Sequence, residues 1–270
     1  MIEGEARVAP STRRADWSEL ALLPRLDTID AQLAAELTQE WTRVALMEHA
    51  SIAAFARFSL QLLSLGAPAE LIERATSAMA DETKHAKACF AVASSYAAKP
   101  VGPGLLAIDN SLNETSLQET VLNTIREGCI GETVAAVEAR EAAEHAQDPT
   151  LKQLLSTISE DETQHAELAF RFLKWALTLG DAQLEAAVRR EFSALEREAA
   201  PCFGAPSNAD HTRLLQHGVV PIALRQVIRA QAIQSVILPC ARALLATGGH
   251  TGGSGVVGAA VQSICPTSCF

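Results

Sequence analysis

Two ten-residue segments of this chain nearly copy each other, and this repeat constrains the fold more than any other feature. Residues 81–90 read Asp-Glu-Thr-Lys-His-Ala-Lys-Ala-Cys-Phe and residues 161–170 read Asp-Glu-Thr-Gln-His-Ala-Glu-Leu-Ala-Phe, so six of ten positions are identical. Each copy places a histidine three residues after a glutamate. Side chains at that spacing share one face of an α-helix and can reach toward the same point. The repeat therefore predicts two related helices that each present one carboxylate and one imidazole.

Apolar residues recur at the helical period along most of the chain, and no strand pattern competes, which predicts an all-α fold. The predicted helices cover about Asp30–Leu65, Pro68–Ala97, Ser116–His145, Thr150–Leu179, 181–200 and 219–246. Pro239 is expected to kink the last of them. The segment Lys99–Asn113 holds two prolines and two glycines and reads as a long crossover. Short, long and short connections between the first four helices are typical of a four-helix bundle with one long crossover.

Each helix that carries the repeat follows a helix with a glutamate in a small-residue, apolar stretch. Glu48 lies 34 residues before the first repeat glutamate and Glu132 lies 30 residues before the second. In antiparallel helix pairs, both gaps return the chain to about the same height. Six side chains are therefore expected to converge as metal ligands: Glu48, Glu82, His85, Glu132, Glu162 and His165.

The charges of the four expected carboxylate ligands favour a site that is filled with metal ions. Two divalent cations neutralise four carboxylates, whereas an empty site would bury like charges at a cost of about several kcal/mol or force their protonation. Carboxylate and imidazole ligands suit iron or manganese. Two iron ions are the expected cofactor, and an iron–manganese pair is left open.

Residues 30–180 resemble the ferritin-like superfamily of di-iron carboxylate proteins, whose bundles carry this ligand set. The pair of Glu-x-x-His motifs is similar to those of bacterioferritin, the ribonucleotide reductase small subunit, acyl-carrier-protein desaturases and bacterial multicomponent monooxygenases. The resemblance implies that the two repeat glutamates bridge the metals and that each histidine binds one metal. It also implies that Glu48 and Glu132 supply terminal or bridging carboxylates. Where the radical-generating reductase subunits have a tyrosine, four residues after the first histidine, this chain has Cys89; its only tyrosine, Tyr96, is eleven residues past His85.

Four further residues are candidates for supporting the ligands. Asp81 and Asp161 precede the repeat glutamates and could hydrogen-bond a histidine on a neighbouring helix. Cys89 and Cys129 are expected on the metal side of their helices, either as core packing or as thiols that tune the site.

Composition narrows the classes of partner. The net charge is −10 with no basic stripe, which argues against nucleic acid and anionic membrane surfaces. No apolar run is long enough for a membrane span, no signal peptide is recognisable, and the six cysteines are scattered, so a cytoplasmic protein is expected.

The predicted domains are an irregular N-terminal segment (1–29), the di-metal bundle (30–180), a C-terminal helical extension packing on it (181–247) and a glycine-rich, flexible tail (248–270). The tail contains Cys265 and Cys269, whose role the sequence leaves open, as it does the oligomeric state, a homodimer included.

Three functions fit these observations. The favoured one is an enzyme, a di-iron oxidoreductase that activates O2 and oxidises a small organic substrate with electrons from an external donor. The second is a ferroxidase that handles iron without an organic substrate. The third is a metal-stabilised helical scaffold or carrier for the tail.

Overall fold

A computed structural model gives the structure of the protein and describes residues 7–18, 29–113, 115–198 and 209–247. The helices are α1 (Ala31–Ser64), α2 (Ala69–Ala97), α3 (Leu117–Thr124), α4 (Thr133–His145), α5 (Pro149–Leu179), α6 (Ala182–Glu198), α7 (Ala209–Gln216), α8 (Ile222–Ala232) and α9 (Leu238–Thr247). A first π-helical segment (Ile125–Glu132) joins α3 to α4, and a second (Ile233–Ile237) joins α8 to α9. The all-α prediction is confirmed. The predicted tail, with Cys265 and Cys269, and much of the N-terminal segment lie outside the described residues.

Four helices begin at a side chain that caps the first turn. Asp30 accepts a hydrogen bond from the N–H of Leu33 at 2.8 Å and so caps α1. Ser116 caps α3 by accepting from the N–H of Glu119, whose carboxylate accepts from the Ser116 hydroxyl. Asp148 and Asp181 cap α5 and α6 in the same way. The first five predicted helices therefore lie within about two residues of the observed ones.

Two departures from the predicted helices occur. The expected helix over 116–145 contains the first π segment, and the one over 219–246 begins at Ile222 and contains the second. The second π segment ends two residues before Pro239, which is in α9. Because proline has no N–H and clashes with the carbonyl four residues earlier, a wider turn before it removes the conflict. The short helix α7 was not predicted.

Two compact units divide the chain. The first consists of residues 1–115, 139–161 and 207–221, and the second of residues 116–138, 162–206 and 222–270. In the first unit, α1 packs along α2 over most of its length. Its fully buried side chains include Leu37, Trp41, Leu62 and Phe90. Those of the second unit include Ile125, Phe172, Leu173 and Ile237.

The N-terminal segment pairs with the predicted crossover. Strand β1 (Ser11–Thr12) runs antiparallel to β2 (Gly102–Pro103). The Gly104 N–H donates to the Pro10 carbonyl at 2.6 Å, and the Arg7 guanidinium donates to the Asp109 carbonyl at 2.7 Å. Part of the N-terminal segment that was expected to be irregular is thus held against the segment that follows α2.

Within the described ranges, no helix combines the length and apolar character that a bilayer crossing requires.

Candidate metal centre

The repeat places buried charged side chains in the middle of α2 and α5. Glu82 and His85 are 1% and 3% exposed, and Glu162 and His165 are 2% and 4% exposed. Charged groups are almost never this buried unless they are paired or bind a metal. Each copy of the repeat therefore carries buried charged groups that need a partner or a metal.

In the first unit, His85 uses its two ring nitrogens differently. Nδ1 lies 3.6 Å from the Glu48 Oε2 and 4.0 Å from the Glu82 Oε2. Nε2 lies 3.0 Å from the Asp161 Oδ2. A carboxylate only accepts hydrogen bonds, so Asp161 fixes the proton on Nε2 and leaves the Nδ1 lone pair facing the glutamates. That is the tautomer a metal ligand needs.

In the second unit, the corresponding pair lies on α5. The His165 Nδ1 is 3.3 Å from the Glu162 Oε2. Glu132, half-buried, is the last residue of the first π segment. A π segment accommodates an extra residue per turn, so it changes which face of the helix the following residues occupy.

Two overlapping groups of ligand atoms could each hold a metal ion. They are Glu48, Glu82, His85 and Glu162, and Glu82, Glu132, Glu162 and His165. Within each group, one ligand atom per residue lies within 4.8 Å of the others. Ligand distances of about 2.0–2.2 Å place opposite ligands of one cation up to about 4.4 Å apart, so the groups have the right size. Both groups contain Glu82 and Glu162, and each contains one histidine.

The residues present therefore fit a metal pair. Oxygen and imidazole donors suit iron and manganese, and two dications would neutralise the four carboxylates of the two groups. These six residues are the ones that the repeat and its upstream glutamates predict.

Both aspartates of the repeat make polar contacts. Asp161 contacts His85 across 76 residues of sequence, and the Asp81 Oδ1 accepts a hydrogen bond from the Lys84 Nζ at 2.8 Å. The second repeat has Gln164 where the first has Lys84, so a lysine at this spacing occurs only in the first repeat.

Neither candidate cysteine belongs to the two groups. Cys89 and Cys129 are both fully buried. Burial raises the pKa of the Cys129 thiol well above its ordinary value, so it stays protonated at neutral pH. A protonated thiol in an apolar interior acts as a small packing group.

No family model, no curated protein and no solved structure matches the chain. The interpretation of the centre therefore depends on its residues and their geometry.

The contact between Asp161 and His85 gives a test with a matched control. Asp161→Ala should weaken the binding of one metal ion by about 10–100-fold, because the imidazole loses the group that sets its tautomer and orientation. Glu160→Ala, which removes an exposed carboxylate one residue away on the same helix, should leave metal affinity nearly unchanged. Anaerobic calorimetric titration with Mn²⁺ measures both. Equal losses in the two variants would show that the Asp161 contact has no special role.

Proposed function

We propose that this protein is a di-iron oxidoreductase of the ferritin-like type, which uses O2 to oxidise a small organic substrate. The observation that carries the proposal is the pair of overlapping groups of ligand atoms, each with one histidine and three carboxylates, sharing two buried glutamates. A ferritin-like bundle is the architecture in which four helices supply such a set. Helical content, the long crossover and the capped helix starts are compatible with it.

Different residues would hold the two metal ions. Glu48 and His85 would hold one iron ion, Glu132 and His165 the other, and Glu82 and Glu162 both. Iron held by these residues would supply electrons for the reduction of O2, and an external donor would replace those electrons after each turnover.

The protein itself orients the ligand side chains and keeps bulk water away from them. Asp161 holds the proton on the His85 Nε2 and so keeps Nδ1 available as a donor. The buried surroundings of the ligands exclude bulk water, which strengthens the electrostatic interactions of the carboxylates with bound cations.

A titration under anaerobic conditions tests the metal part of this proposal. We expect two Fe²⁺ per chain in the natural sequence and a sharply reduced content in Glu162→Gln. The control is Glu160→Gln, which removes an exposed carboxylate two residues away on the same helix. Iron content per chain is measured by plasma mass spectrometry after desalting. Unchanged content in Glu162→Gln would contradict the shared-ligand assignment.

Mixing the ferrous protein with O2 then separates the three functions. An oxidoreductase consumes O2 repeatedly when supplied with a reductant and a substrate, and it stops at the bound iron without them. A ferroxidase continues to oxidise added Fe²⁺ well beyond two ions per chain. A scaffold binds the metal and consumes no O2. Oxygen-electrode and absorbance records distinguish these results, and either of the last two would overturn the proposed function.

A further inference from the structure

The only tyrosine of the chain is hydrogen-bonded to a histidine that is far away in sequence. The Tyr96 hydroxyl lies 3.0 Å from the His217 Nδ1, and the two rings meet edge to face. Tyr96 is 6% exposed and His217 is half-buried. Both belong to the first unit. In the tautomer that carries its proton on Nε2, the His217 imidazole accepts the phenol proton at Nδ1.

The backbone fixes His217 in this place. Its carbonyl accepts a hydrogen bond from the Trp41 Nε1 at 3.2 Å, and its N–H donates to the Leu214 carbonyl at 3.0 Å. Gly218 follows with φ +75°, a left-handed conformation that glycine adopts without strain. These contacts use main-chain atoms of His217, so its imidazole can be replaced without removing them.

The charge states of the pair suit a transfer of the proton from oxygen to nitrogen. Burial raises the pKa of Tyr96, and Asp148 adds to this effect. Burial and Arg213 lower the pKa of His217, against a smaller opposing effect of Asp148. At neutral pH the phenol therefore keeps its proton, and the imidazole is neutral and able to accept one.

Tyr96 also lies on the face of α2 that carries His85, a candidate metal ligand. His85, Cys89, Val92 and Tyr96 follow at spacings of four, three and four residues, and all four are buried. Such spacings keep side chains on one face of a helix. The Cα atoms of His85 and Tyr96 are separated by about 16 Å of helix rise. The route between them is a single buried stripe of one helix.

We infer that Tyr96 and His217 form a proton-coupled redox pair that passes single electrons to the metal centre. The inference rests on the proposed function, because the electron acceptor is the centre after it has been oxidised by O2. Tyr96 gives up one electron, the O–H bond breaks, and the proton forms a bond to the His217 Nδ1. The products are a neutral tyrosyl radical, an imidazolium and a centre reduced by one electron. An external one-electron reductant then restores the phenol, and the proton returns to oxygen.

A photochemical experiment tests the pair without any metal in the protein. Flash photolysis of the full-length, metal-free chain with ruthenium tris-bipyridine and persulfate supplies a one-electron oxidant, and electron paramagnetic resonance records the radical. We expect a tyrosyl signal that Tyr96→Phe abolishes. His217→Ala should slow its formation on the order of 100-fold, the size of a general-base contribution, and added imidazole should restore it. Circular dichroism checks that the variants are folded.

A second measurement does not depend on a variant. The rate of radical formation in the natural sequence should fall in D2O, because proton transfer accompanies the loss of the electron. A radical that forms at the same rate in His217→Ala, or a rate insensitive to D2O, overturns the pair, whether or not the protein binds iron.

The link to the metals has its own test. When the ferrous protein is mixed with O2 and freeze-quenched, we expect the same tyrosyl signal, absent in Tyr96→Phe. If the photochemical experiment gives a tyrosyl radical but the freeze-quenched sample gives no signal, electron transfer from Tyr96 to the centre is overturned. Failure to bind iron at all would instead overturn the proposed function, so the two failures are distinguishable.

Discussion

Glu82→Gln is expected to change the stability of the metal-free and metal-loaded protein in opposite directions. Glu82 is 1% exposed and belongs to both groups of ligand atoms. Without metal, the variant removes one of several carboxylates buried near each other, which should stabilise the protein by about 1 kcal/mol for each pKa unit of like-charge repulsion relieved. With metal, it removes the side chain that both groups of ligand atoms share. The loss of affinity should exceed the roughly 10–100-fold effect of losing an outer partner.

Chemical denaturation with and without added Mn²⁺ measures both effects. The natural sequence should gain stability with Mn²⁺, by about 2.7 kcal/mol at a free concentration one hundred times the dissociation constant, and Glu82→Gln should gain little. Glu73→Gln is the control, since Glu73 is an exposed carboxylate on the same helix. A purely structural role for Glu82 would make the variant less stable in both conditions, which is the opposite of the expected result without metal.

The placement of Glu82 and His85 on one buried face of α2 was predictable because a short-range rule determines it. Residues three apart on a helix share a face, so Glu82 and His85 had to point the same way once α2 was recognised. Burial followed from the apolar residues around them. The capping aspartates and the glycine after α1 likewise act within one turn, so most helix limits were within reach of sequence reasoning.

The sequence predicted that Asp161 could contact a histidine of another helix, but it could not identify the partners in contacts across long stretches of chain. Asp161 and His85 are 76 residues apart, and Tyr96 and His217 are 121 residues apart. No local pattern specifies which histidine Asp161 contacts. The π segments were missed for another reason. Their apolar period differs from that of an α-helix only over a few residues, and neighbouring helices decide where the extra residue is accommodated.

Gly128→Ala should destabilise the second unit by about 1–3 kcal/mol, toward the upper end of the range for overpacking. Gly128 lies in the first π segment, and a Cβ there would be only 2.5 Å from the Ala169 Cβ on α5. Real Cβ atoms do not approach so closely. A methyl attached directly to the backbone cannot rotate away on either side, so the two helices must separate. Since Glu132 ends the same π segment, the separation should also weaken the metal group that contains it.

Gly131→Ala is the matched control, three residues further along the same π segment. The nearest atom to a Cβ there is the Arg126 carbonyl oxygen at 3.5 Å, an ordinary van der Waals distance. This variant should be neutral or more stable by up to about 1 kcal/mol, because alanine loses less backbone entropy than glycine in a helix. Thermal unfolding of both variants with and without Mn²⁺ gives the comparison. If Gly128→Ala were as stable as Gly131→Ala and bound Mn²⁺ equally well, the close approach of the π segment to α5 would not be what holds Glu132 in place.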